Sequence, residues 1–218
     1  MRNMENLGNP LSHSESAGSE PSEEIIDNGL GILIHHKTLY HGSATAGIES
    51  LQQAEEYTMG HGVYLTSEAD KAGGYGKVRA RNQAQPFVYM TEISNLKLVD
   101  LRQANNVEQV ARGILPRLRA KLEEYQDKGD VPWYYSHAVQ RAIEMIEEGN
   151  FGKGRVEAVA QYPIVAEVFE EYVRSLGYDG VIGVEGGEGG EDMAIGDHDT
   201  YVIFNPEQVK VIAQRKAE

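Results

Sequence analysis

Short apolar runs sit near both ends of the chain, and apolar residues recur with helical spacing between them. Residues 25–36 (IIDNGLGILIHH) place apolar positions around an Asn-Gly turn signal, which predicts a short hairpin or an adaptor to the domain. Residues 37–43 (KTLYHGS) read as a strand ending at Gly42. Residues 47–57 have the spacing of a short helix, with Ile48 and Leu51 sharing a face. Residues 60–66 (GHGVYLT) predict a strand entered through glycines. In the stretch that follows, Ser67 can cap a helix carrying Glu68 and Asp70 in its first turn. Gly73 and Gly74 limit that helix to about two turns. Residues 86–93 and 96–101 predict two strands separated by a Ser-Asn turn.

The middle of the chain changes period. Val107, Val110, Ile114, Leu118 and Leu122 form the stripe of an amphipathic helix over 107–126, which Pro116 should kink or restart. A second helix is predicted over 133–149. A third is predicted over 163–177, with Pro163 at its start and Gly177 at its end. Strands return at 178–185, 200–206 and 208–214, with a glycine-rich acidic loop, expected to be mobile, over 186–192. There is no internal repeat. The order of elements predicts a mixed α/β or α+β domain rather than a doubly wound parallel sheet.

Composition narrows the class. The chain has 218 residues, enough for one ordinary domain with a tail. Residues 1–24 are rich in Ser, Glu, Gly and Asn and cannot bury enough surface to offset their ordering entropy. They predict a disordered tail, leaving 25–218 as the domain and 104–177 as a helical block within it. No cysteine is present, which excludes disulfides, zinc–thiolate sites and a thiol nucleophile. The net charge of −14 opposes bulk binding to phosphate backbones. Lys77, Arg79 and Arg81 cluster locally and read as a solvated turn. No apolar run approaches the ~20 residues of a membrane span, and the N-terminus lacks the apolar core of a signal peptide. A cytoplasmic protein is expected, including one that works in a host's cytoplasm.

Four segments carry candidate chemistry. In Leu39-Tyr40-His41-Gly42-Ser43 a histidine at a strand end precedes a glycine that lets a ligand approach the backbone. Tyr64 and Tyr75 are placed on a strand and after a short helix, where two rings can sandwich a flat heterocycle. Tyr178-Asp179-Gly180-Val181-Ile182 opens a strand. Asp199-Thr200-Tyr201-Val202-Ile203-Phe204-Asn205-Pro206 is a strand leading into an Asn-Pro turn.

Taken in order, these motifs resemble the ADP-ribosyltransferase superfamily. The match is to its His-Tyr-Glu branch of diphtheria-like toxins and poly-ADP-ribose polymerases, in the small bacterial or phage form. The resemblance covers residues 38–76 and 178–212. It implies an α+β fold: a split, bent β-sheet core with NAD in the cleft between its halves and an inserted helical block. It implies that His41 bonds the adenosine-side ribose, that the Gly42 backbone holds the nicotinamide carboxamide, and that Tyr75 stacks on the nicotinamide with Tyr64 on the other side. Relatives carry a Ser three residues before the stacking tyrosine. Here that residue is Ala72, and Ser43 or Thr66 is the expected replacement. Relatives that build polymers carry a Glu where this chain has Thr200. A threonine can bond a ribose but cannot act as a base, so single-unit transfer to an unknown acceptor is expected. Asp197, Asp199 or Glu207 would supply a nearby carboxylate, although Glu207 is expected to point away.

Three other readings compete. An RNA 2′-phosphotransferase needs cleft arginines, and the four motif segments hold none. An inactive NAD or ADP-ribose reader fits Ala72 and Thr200. An interaction module would use the helical block, where Trp133, Tyr134 and Tyr135 cluster. No metal is expected, because Asp197-His198-Asp199 and His35-His36 alternate faces on strands. The sequence does not choose between a toxin, a phage effector and a housekeeping enzyme.

Overall fold

A computed structural model describes residues 23–54, 59–80, 85–128, 131–149, 163–185 and 195–217. The predicted tail through residue 22 and the loop 186–192 lie outside them. Seven strands, β1 (Glu23–Ile26), β2 (Gly31–Ser43), β3 (Val63–Thr66), β4 (Phe87–Asp100), β5 (Gly180–Glu185), β6 (His198–Ile203) and β7 (Lys210–Lys216), combine with four helices. These are α1 (Ala69–Ala80), α2 (Ala104–Lys128), α3 (Trp133–Glu147) and α4 (Pro163–Ser175). The expected α+β class is observed.

The 25–36 segment resolves to the hairpin. Asp27, Asn28 and Gly29 all take positive φ, so the turn uses residues that tolerate the left-handed region. Its first strand includes Glu23 and Glu24, which pair with Ile34 and Leu33, so these two residues of the predicted tail are strand.

β2 and β4 form a long antiparallel ladder from Gly31↔Val99 to Ser43↔Phe87. β4 is one strand where two were predicted. Asn95 absorbs the Ser-Asn irregularity with φ of 53°, and the flanking pairs Ile34↔Leu96 and His36↔Ser94 keep one register. The sheet runs β1-β2-β3-β6-β5-β4-β7, and the β2–β4 pairing closes its five central strands into a barrel. The two sides meet weakly at one seam, because β2 and β3 share the single pair Tyr40↔Thr66. Continuing that register would set Gly42 opposite Tyr64; instead the strands part there. Ile32, Leu39, Leu65, Leu98 and Tyr201 fill the barrel interior.

The predicted helix at 47–57 does not form over its described part, 47–54. Its N–H groups go elsewhere: Gly47 donates to Gln214 Oε1, Ile48 to the Tyr89 hydroxyl, and Ala54 to the Gly62 carbonyl. Burial of Leu51 in the barrel cluster holds this irregular path. Helix α1 errs the other way, running 12 residues through Gly73 and Gly74. Its small residues permit a close approach to β2. A β-carbon on Gly42 would overlap the carbonyl oxygen of Ala72 and lie 2.7 Å from the Gly76 nitrogen. That packing outweighs the poor helix propensity of glycine, about 1 kcal/mol per residue. It also reassigns Gly42: the space its missing side chain leaves is filled by α1, not by a ligand.

Helix α2 continues past Pro116 without a restart. Proline inside a helix costs about 3 kcal/mol. Burial of Ile114 and Leu118 on either side, against Val139 of α3 and Val165 of α4, offsets it. Phe169 and Val173 carry α4 onto the outer face of the barrel, against Val181 and Val202. Trp133 and Tyr134 stay 74% and 53% exposed, whereas Tyr135 packs against the helical cluster. No described helix is long and apolar enough to cross a membrane.

Candidate active site

The site lies at the seam where β2 and β3 part. All seven residues singled out in the sequence, His41, Gly42, Ser43, Tyr64, Thr66, Tyr75 and Thr200, line one cleft of about 900 Å³. β2 supplies the first three, β3 Tyr64 and Thr66, α1 Tyr75, and β6 Thr200. Thr66 and Thr200 are direct cross-strand partners, so their side chains share a face.

His41 bridges the gap between the strands. Its Nδ1 lies 3.0 Å from the Tyr64 carbonyl, which accepts, so Nδ1 carries the proton. Burial pushes the imidazole below its ordinary value; the Tyr64 bond opposes that and the charge of Arg79 adds to it. In the neutral ring Nε2 is then an acceptor. A sugar hydroxyl would therefore donate to His41.

Tyr64 is held by its hydroxyl, which donates to the Gly60 carbonyl at 2.8 Å and accepts from the Met59 N–H at 2.8 Å. Ser43 Oγ accepts the Thr45 N–H, and Thr66 Oγ1 accepts the Glu68 N–H at the approach to α1. Both hydroxyls keep a proton to donate into the cleft. Ala72 lines the cleft as the sequence placed it.

Three further residues complete the site. Glu185, at the end of β5, accepts through one oxygen from the Tyr75 hydroxyl at 3.1 Å and from Thr200 Oγ1 at 3.2 Å. Of the carboxylates proposed from sequence, Asp199 pairs with Arg102 at 2.7 Å, Asp197 is exposed, and Glu207 sits in the 3-10 turn Pro206–Gln208; none lines the cleft. Sequence pattern does not mark Glu185, which ends an apolar run beside a stretch already rich in glycine and acid.

Arg79 lies on the cleft rim, not in a solvated turn. It follows Tyr75 by four residues, one helical turn on the same face, a signal lost when α1 was cut short at Gly74. It also removes the argument that the cleft lacks arginine.

His198 is 5% exposed, lines the cleft, and meets Tyr75 edge-on with ring centroids 5.5 Å apart. Its Nδ1 donates to the Gly196 carbonyl at 2.8 Å, while buried Nε2 has no partner among the described residues. The sequence reading weighed His198 only as a metal ligand. Among the described residues no three His, Asp or Glu side chains gather to hold a metal ion.

This is an α+β barrel with a helix-walled cleft built on a His, two Tyr and a carboxylate. The sequence profile of the ADP-ribosyltransferases found in polyvalent proteins matches residues 35–218. The chain belongs to that family, and it is an NAD-dependent ADP-ribosyltransferase for which NAD is the substrate. The family expected from the four motifs is the one found. A crystal structure of the MbcT–MbcA toxin–antitoxin complex of M. tuberculosis contains a similar chain at 10% identity. The alignment covers 87% of this chain and 88% of that one, with a TM-score of 0.42. A comparison with curated proteins finds no significant match.

Proposed function

We propose that the cleft binds NAD in a bent pose and transfers one ADP-ribose unit to a macromolecular acceptor. The observation that carries this is convergence: residues from three of the four motif segments line one cleft, residues 178–182 being the segment that does not. Its volume falls within the roughly 300–1,000 Å³ of small-molecule sites.

In this reading Nε2 of His41 accepts from the adenosine-side ribose. The backbone at Gly42 and the Ser43 and Thr66 hydroxyls grip the carboxamide. Tyr75 stacks on the nicotinamide, and Tyr64 fixes His41 and closes the opposite wall. Arg79 at the rim faces the pyrophosphate, where a cation is useful in a chain of net charge −14. Single-unit transfer rests on Thr200, whose hydroxyl binds a sugar but takes no proton.

The test is to mix the protein with NAD in a clarified cell lysate, which supplies acceptors. Nicotinamide release and the mass of the modified acceptor are then measured, with Tyr75→Ala as control. Release that the control abolishes, with one ADP-ribose per site, supports the reading. Oligomeric adducts would overturn single-unit transfer. NAD binding without release would favour the inactive reader.

A further inference from the structure

We infer that Glu185, brought in from the strand next to Thr200, is the carboxylate that serves NAD cleavage here. The inference rests on the NAD reading above and goes beyond it by naming the group that meets the reacting sugar.

The ladder places it. β5 and β6 are antiparallel with Gly183↔Thr200 and Glu185↔His198 as partners. Glu185 is therefore diagonal to Thr200 on the same sheet face, and a glutamate is long enough to span that offset. Its Oε2 receives the Thr200 hydroxyl at 3.2 Å and the Tyr75 hydroxyl at 3.1 Å. One of these donors occupies the β6 position where a glutamate is missing. The other belongs to the ring assigned to the nicotinamide. The carboxylate is thus anchored between the nicotinamide wall and the ribose position, and it borders the cleft. A carboxylate offers about four lone-pair sites on its two oxygens, more than these two donors use.

The chemistry follows from the charge. The nicotinamide–C1′ bond of NAD breaks, and its electron pair leaves with the now neutral nicotinamide. The positive charge moves to the sugar as an oxocarbenium ion. Glu185 stays ionised throughout: it accepts from the 2′-OH of that ribose and stabilises the cation beside it. A nucleophilic oxygen or nitrogen of the acceptor then bonds to C1′ and loses its proton to water. Thr200 and Tyr75 hold the carboxylate in a fixed orientation, so little reorganisation is needed at the moment of cleavage.

The experiment compares nicotinamide release and calorimetric NAD binding for wild type, Glu185→Gln, Glu185→Gln with Thr200→Glu, and Glu207→Gln. The assay is run in the acceptor-supplying lysate. The glutamine variant keeps size and hydrogen bonding, and its thermal melt verifies folding. We expect Glu185→Gln to lose about 10²–10³-fold in turnover with NAD affinity within about threefold, as for removal of a transition-state-stabilising group. Returning a carboxylate to β6 in the double variant should recover at least about tenfold of that loss, and Glu207→Gln should match wild type. Glu185→Gln turning over within about threefold of wild type would overturn the inference and leave the NAD reading intact. A wild-type protein that neither binds NAD nor releases nicotinamide would overturn both. If Glu185→Gln does not fold, a Thr200→Glu variant carrying Glu185→Ala replaces it. Failure of that folded variant to exceed folded Glu185→Ala would count against the inference.

Discussion

His41 Nδ1 donates to the Tyr64 carbonyl at 3.0 Å, across the point where β2 and β3 cease to pair. A side chain thus takes over the cross-strand bond that the backbones give up, and the opening it spans becomes the cleft. The bond also fixes the tautomer. Nδ1 keeps its proton, and only neutral His41 has Nε2 to accept from a ligand.

This gives a pH dependence with a defined sign. Burial lowers the folded-state value of His41 below the ordinary 6.5. Between those two values the unfolded chain binds the extra proton, so protonation favours unfolding. His41 therefore costs no stability above about pH 6.5; its penalty grows as pH falls below 6.5 and is complete below the folded-state value. NAD binding should follow the same course, because the imidazolium has no acceptor nitrogen. Nicotinamide release at subsaturating NAD should be flat from pH 7 to 8 and fall on acidification, with a midpoint below 6.5. His41→Gln should remove the acidic limb. A midpoint above 6.5, or an unchanged limb in His41→Gln, would refute this role.

Gly42 is constrained by protein packing. A β-carbon there would run into the α1 backbone at Ala72 and Gly76, which cannot move like a flexible side-chain end. Gly42→Ala should cost about 1–3 kcal/mol, the usual range for overpacking. For a domain of this size that is a drop of roughly 2–12 °C in melting temperature. Nicotinamide release should fall as well, because displacing α1 moves Tyr75. A melt unchanged from wild type would show that α1 yields to the added methyl group.

These two residues mark what the sequence made legible. The positions of the His-Gly strand end, the Tyr strand and the Thr200 strand followed from local pattern and order, and all converge on one cleft. The hairpin at 25–36 and the helices near 133–149 and 163–177 are also local features, set by turn chemistry and apolar period. What local pattern missed was decided by tertiary contact. Gly73 and Gly74 stay helical within a helix held against β2, where the Ala72 and Gly76 backbone lies on Gly42. Pro116 is tolerated because the residues around it are buried. Ile48 gives up its helix because Tyr89, 41 residues away, takes its N–H. Glu185 joined the site through partners 110 and 15 residues distant, a register set by a strand pairing across the loop before β6.

His198 presents a buried acceptor in the cleft wall. Its Nδ1 bond to Gly196 leaves Nε2 as a lone pair in the cleft wall, without a partner among the described residues. An unsatisfied buried group costs about 1–3 kcal/mol, which a ligand N–H or O–H would recover. Replacing it by a ring of similar shape removes that cost together with the acceptor, and gives up the Nδ1 bond to Gly196, a loss of similar size and opposite sign. His198→Phe should therefore keep stability within about 1 kcal/mol of wild type while weakening NAD binding about tenfold. Thermal melts and calorimetry check the two halves separately. Unchanged NAD affinity would mean that Nε2 meets no part of the substrate.

Arg79 separates binding from chemistry. It stands at the rim of the cleft, four residues after Tyr75, in a chain whose net charge of −14 repels an anionic dinucleotide. A rim cation acts on substrate and transition state alike, since the pyrophosphate keeps its charge throughout the reaction. Arg79→Gln should raise KM for NAD about tenfold with kcat nearly unchanged. Wild-type KM should rise with salt as screening weakens the same contact, and the variant should lose most of that salt dependence. Steady-state nicotinamide release at low and high ionic strength measures both. A fall in kcat at constant KM would instead place Arg79 at the reacting sugar. His41, whose imidazole already feels its charge, would then be the residue through which to trace the effect.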